Sequence, residues 1–184
     1  MTILPIDEIN RMKEEIPIFL DESGVVRSKE DEEEFMDELE DLFLLCYASG
    51  SAGANADLGS SVSPTTEELN DTIYQKVAGK VWTDRIREYL HGGSVADIAR
   101  VIETEAHRIT NEASYDTARK AGATMKTWNC MMLPTSRDTH IYLDGVSAPI
   151  DGLFTTFAGN QTMFPGEFGV AEEDCNCLCW LTFS

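Results

Sequence analysis

Three cysteines alternate near the C-terminal end, Cys175, Cys177 and Cys179, within the run DCNCLCW. Side chains two residues apart in an extended strand share a face, so the spacing predicts three thiols on one side. Thiols that close, joined by an imidazole such as His140, make a soft donor set suited to zinc. The spacing departs from the C-x2-C of ordinary zinc sites, and free cysteine is also one of the most readily buried side chains. Two readings therefore stand together. One is a metal site of His140, Cys175, Cys177 and Cys179; the other is a packed strand of buried thiols with no cofactor. Cys46 and Cys130 are isolated in the sequence and read as small core hydrophobes.

A second polar group lies in EAHRITNEASYDTARKAG. Glu105, Arg108, Glu112, Asp116 and Arg119 stand three or four apart, the spacing of an ion-paired helix face. The same segment also allows Glu105, His107, Arg108 and Asn111 to project toward a neighbouring sheet and organise a polar site. The sequence contains no Gly-rich phosphate loop, GxSxG or HExxH, and it specifies no nucleophile, base and orienting group.

Residues 28–47 read as a helix that Ser28 caps, opening on the acids of EDEEE, where a helix dipole favours negative charge. Phe35, Met36, Leu39, Leu42, Phe43, Cys46 and Tyr47 form its apolar face. Residues 49–63, SGSAGANADLGSSVS, read as a flexible small-residue linker. Thr65 and Glu68 have capping-box spacing and open a connecting helix that ends at Gly92 and Gly93. Ser94 and Asp97 open another that runs to about Lys120. After Gly122 come short extended runs at 124–132, 146–150, 161–164 and 177–183, with turn chemistry at Asp144-Gly145 and Pro165-Gly166. The expected class is α+β: an N-terminal helical region, then a long helix packed on a small, mainly antiparallel sheet. The expected division is an acidic helical region at 1–48, a linker at 49–63, a connecting helix at 64–93 and a final unit at 94–184.

Acids outnumber bases 33 to 14 in 184 residues, a net charge of −19, which disfavours strong direct binding to nucleic acid. Residues 1–50 hold 15 acids and 4 bases, a net of −11, and so more than half of the excess. That charge suits a solvated helix start or a surface for a basic partner. No run approaches the ~20 apolar residues that span a bilayer, and MTILPIDEINRMKEE lacks the pattern of a secretory signal. No membrane association is expected, and synthesis is expected in the cytoplasm.

The segments ETEAHRITNEASYDTARKAG (103–122), KTW (126–128), SRDTHIYLDG (136–145), PIDGLF (149–154), FPG (164–166) and NCLC (176–179) together resemble the phage Mu F-like minor head protein family, also called phage head morphogenesis proteins. Their order and spacing over about residues 94–184 carry the resemblance. Glu105, His107, Arg108 and Asn111 match its helix motif, and Trp128 matches its strand Trp. Arg137, His140, Leu143, Asp144 and Gly145 match its turn, and Asn176, Cys177 and Cys179 its ending. Glu103 and Leu178 stand where the family usually has Arg. Some relatives carry Cys-x-x-Cys in the turn, in what looks like a zinc site with the terminal cysteines; here those positions are Arg137 and His140.

The resemblance implies a structural minor head protein of a tailed bacteriophage, in the virion at or near the portal. It would act in head assembly and in DNA packaging or delivery, with the portal protein or major capsid protein as partner. Two alternatives accompany it. One is a toxin-like or nucleotide-modifying enzyme domain using Glu105, His107, Arg108 and His140, because some relatives are fused to toxin domains. The other is a small zinc-binding interaction module. Only Trp180 to Ser184 follow Cys179, too little for a fused effector, and no enzymatic role is expected.

Overall fold

The computed structural model describes residues 4–184; the first three residues of the expected 1–48 region lie outside it. Five helices come first: α1 (Ile6–Phe19), α2 (Lys29–Leu58), α3 (Thr66–Ile73), α4 (Trp82–Leu90) and α5 (Val95–Lys120). Then come β1 (Met125–Asn129), α6 (Asp138–Ile141), β2 (Ser147–Pro149), β3 (Phe154–Thr155), β4 (Gln161–Thr162), α7 (Ala171–Asp174) and β5 (Trp180–Phe183). The strands form an antiparallel sheet in the order β2-β1-β5 and a separate β3-β4 hairpin. Helices followed by a small antiparallel sheet make the chain α+β, as the change of periodicity at Gly122 predicts. Among the described residues no helix is long and apolar enough to cross a membrane.

The capping residues act as their spacing predicts. Ser28 Oγ accepts from the Asp31 N–H, and full capping boxes form at Thr65/Glu68 and Ser94/Asp97. The stretch expected as a linker is different: α2 continues through it to Leu58 and stops at Gly59, which adopts a left-handed φ of 61°. Gly50, Ser51, Gly53 and Ala54 are buried there. Small residues let two helix backbones approach, and an added Cβ at Gly50 would meet the Thr110 carbonyl of α5. Ser51 Oγ accepts a hydrogen bond from Thr117 Oγ1 at 2.9 Å on the same seam. A composition that suits a linker here serves close helix packing instead.

The expected single helix over 64–93 is also corrected. It divides at a tight turn in which Ala78 and Gly79 have φ of 52° and 83°, and Val77 and Lys80 form a bridge.

The long α5 helix belongs to both hydrophobic clusters. Its Ile98, Ile102, Ala106, Ile109 and Ala113 pack with Phe35, Leu39, Phe43, Trp82 and Ile86 of the helical part. Its Tyr115 and Ala118 pack with Trp128, Phe154, Phe164, Leu181 and Phe183 around the sheet. Full burial of such large apolar side chains contributes about 1.5–3 kcal/mol each, so α5 is anchored at both ends and is the rigid element against which the C-terminal segments are positioned.

Candidate functional site

The β1 strand buries Lys126 and Trp128 and leaves Met125 exposed, the alternation of a strand with one core face. The short α6 helix delivers His140 beneath that face. The imidazole stands edge-on to the Trp128 ring and stacks on Phe168, each at a centroid separation of 5.5 Å. Its Nδ1 lies 3.5 Å from the Sγ of Cys177 and 3.5 Å from the Sγ of Cys179. All three side chains are buried. On the other side of the ring, Nε2 lies 3.1 Å from Glu173 Oε2. Thr139 Oγ1 and Asn160 Nδ2 donate to that carboxylate at 2.8 and 3.0 Å.

This polarity sets the protonation of the pair of thiols. Cys177 is pushed well below an ordinary thiol by the hydrogen bond it accepts from Cys179, which outweighs burial, and by His140. Cys179 is pushed up, because it gives that hydrogen bond, is buried and adjoins the Cys177 charge. Burial opposes ionisation of Glu173, but the hydrogen bonds from Asn160 and Thr139, with the charges of His140 and Arg137, hold it below the usual carboxylate range.

The donor set fits a soft divalent ion. One nitrogen and two sulfurs lie within 4.8 Å of one another, and a carboxylate stands beside the second ring nitrogen, where a small rotation of the ring would let it orient a metal-bound histidine. Cys175, expected in the same set, is not in it. Residues 175–179 precede β5 rather than belonging to it, and the backbone turns at Asn176, whose φ is 55°. The strand alternation assumed for these three cysteines therefore fails at Asn176. Cys175 is half-buried, and its carbonyl accepts a hydrogen bond from Arg137.

The helix motif divides between two faces of α5. At about 100° per residue, positions 105, 108 and 112 share one face and positions 107 and 111 another. Arg108 is buried and donates through Nε to Glu105 at 2.9 Å, through Nη1 to Gln75 at 2.7 Å and Glu112 at 2.6 Å, and through Nη2 to the Thr72 carbonyl at 2.9 Å. Glu105 also binds Arg85 of α4. These contacts tie α3 and α4 to α5, so Glu105 and Arg108 act as a buried ionic bracket. Burial pushes the Glu112 carboxyl up to about 7.

On the other face, Asn111 Nδ2 donates to the Cys179 carbonyl at 3.1 Å, which aligns the terminal segment on the helix. His107 is buried beside Cys177, and burial lowers its basicity and holds the ring neutral. Sequence reasoning found His140, Cys177 and Cys179. It missed Glu173 and Asn160, which no motif marks and which only the folded arrangement of α7 and the β3-β4 hairpin brings to His140, and it gave no role to Thr139, the residue just before His140 in α6.

No family model matches the chain, and no solved structure matches it. Two curated proteins are similar to parts of it. A protein of Enterococcus faecalis named NAD(+)--arginine ADP-ribosyltransferase EFV is 30% identical over 140 residues, covering 66% of this chain and 28% of that protein. The minor head protein GP7 of Bacillus phage SPP1 is 31% identical over 93 residues, covering 49% of this chain and 30% of that protein. The chain thus spans less than a third of the length of either relative. The first similarity overturns the expectation that no enzymatic role attaches to this sequence, since much of it has a counterpart in a protein named as a transferase. The second supports the phage head reading of the motifs.

Proposed function

We propose that this chain is a Mu F-like head module of a tailed bacteriophage, held in the virion at or near the portal. The observation that carries this reading is the 31% identity over 93 residues with a phage minor head protein. It agrees with the ordered motifs over residues 94–184, from the α5 helix to the terminal Asn-Cys-x-Cys. The same chain is also similar to part of a protein named as a transferase. In this reading the sheet and the His140 centre fix the C-terminal half as a rigid body, and the strongly acidic α1 and α2 meet a basic surface of the portal or major capsid protein. The module contributes to head assembly and to packaging or delivery of DNA through those proteins rather than by gripping DNA itself.

Co-expression with the portal and major capsid proteins of the same phage, followed by affinity capture of this chain, tests the reading. Capture of the portal protein at fixed stoichiometry, lost at high salt, is the expected result. Elution of the chain free of both proteins at low salt would count against it.

A further inference from the structure

We propose that Cys130 completes a closed metal site with His140, Cys177 and Cys179, and that its ion is zinc or a similarly soft divalent cation. The strand register points to Cys130, although its isolated place in the sequence does not. β1 and β5 pair antiparallel with Trp128 opposite Leu181 and Asn129 opposite Trp180. Carried one residue beyond the ladder, that register sets Cys130 opposite Cys179. Directly opposed residues in such a pair have Cβ atoms about 4.5–5.5 Å apart.

The face is also the required one. Alternation along β1 places Lys126 and Trp128 on the buried side, the side on which the Trp128 ring meets His140, and Cys130 continues it. Cys130 is itself buried and lines the same small pocket as His140, Cys177 and Cys179. Structural zinc sites are closed, tetrahedral and four-coordinate, and three cysteines with one histidine is a common set. The His140 centre supplies three of those four donors within 4.8 Å of one another; the Cys130 sulfur lies outside that spacing but lines the same pocket from just past the end of β1, so a short approach closes the set. Cys175 leaves the set and Cys130 enters it.

Binding one divalent ion to three thiols and a neutral imidazole forms three metal–sulfur bonds and one metal–nitrogen bond. The thiol protons pass to solvent, leaving a centre of net charge −1. Arg137 lines the same pocket. The ion would fasten β1, α6 and the terminal segment to one point. This inference is independent of the head-protein reading, because it concerns only how the C-terminal unit is held.

The test is cobalt substitution of the whole 184-residue chain, first freed of metal by a chelator. About one cobalt per chain is expected, with a tetrahedral spectrum whose sulfur charge-transfer band falls by about one third in Cys130→Ser as three thiolates become two. Cys175→Ser keeps the full band. Because the Cys130 variant is a core substitution, alkylation of the wild-type protein supplies a second readout. With zinc bound, Cys130, Cys177 and Cys179 resist labelling while Cys175 reacts, and chelation exposes all three together. Failure to bind cobalt or zinc, an undiminished band in Cys130→Ser, labelling of Cys130 with zinc in place, or a Cys130–Cys179 disulfide in the reduced-buffer protein would each overturn the proposal.

Discussion

Gly50 of α2 lies so close to Thr110 of α5 that an added Cβ would overlap the Thr110 carbonyl oxygen. The two helices therefore meet backbone to backbone, and no rotamer change relieves a side chain placed there. Gly50→Ala should destabilise the protein by about 1–3 kcal/mol through overpacking, although alanine favours a helix more than glycine does. A denaturation midpoint that falls at unchanged m-value confirms this; a rise would show that the helices are free to separate at Gly50.

Arg108 should be far more costly to lose than an exposed arginine. Its guanidinium binds Glu105, Glu112, Gln75 and the Thr72 carbonyl while buried. Arg108→Met should cost about 3 kcal/mol, the low end for breaking a buried ion pair, because Arg85 still reaches Glu105. Adding Glu112→Gln to that variant should return part of the loss. A double-mutant cycle in urea measures the coupling, and additive losses would contradict the bracket.

Lys126 supplies a pH dependence. It is fully buried, its Nζ donates to the Met163 carbonyl at 2.8 Å, and burial lowers its ordinary 10.5 to about 8. Between about pH 8 and 10.5 the unfolded chain holds more protons than the folded one, so this group makes stability rise with pH in that window. The stability difference between wild type and Lys126→Met should shift in favour of wild type as pH rises from about 8 toward 10.5. A pH-independent difference in paired thermal melts would contradict it.

The first proteolytic cut in the folded protein should fall at residues 131–136 rather than in 49–58. Met131 and Met132 are 43% and 51% exposed, and Met132 has a left-handed φ of 53°, whereas Gly50, Ser51, Gly53 and Ala54 are buried in α2. Exposed connections are cut before packed helices. Peptide mapping of the first fragments measures this, and initial cleavage between 49 and 58 would contradict it.

Much of the frame was legible because its signals are local. Ser28, Thr65 and Ser94 each announced a helix start within four residues, and the turn from 3.6-residue to alternating periodicity marked the sheet. The run 49–58 was not legible, since glycine, serine and alanine serve a flexible linker and a close helix seam equally well, and only the Thr110 backbone decides between them. The metal-like centre was partly legible. His140 and the terminal cysteines were brought forward by type, but the exclusion of Cys175 follows from the turn at Asn176, and the nearness of Glu173 follows from packing across 33 residues of chain. Glu105 and His107 illustrate the same limit: two residues apart, they serve opposite faces of α5, one in an ionic bracket and the other beside Cys177.

Quantitative mass spectrometry of purified virions and of empty proheads from the same infection tests whether this chain is a component of a phage head. Peptides of this chain are expected in both particles, at one low and constant copy number relative to the portal protein. Peptides abundant in the infected-cell lysate but missing from both particles would contradict it.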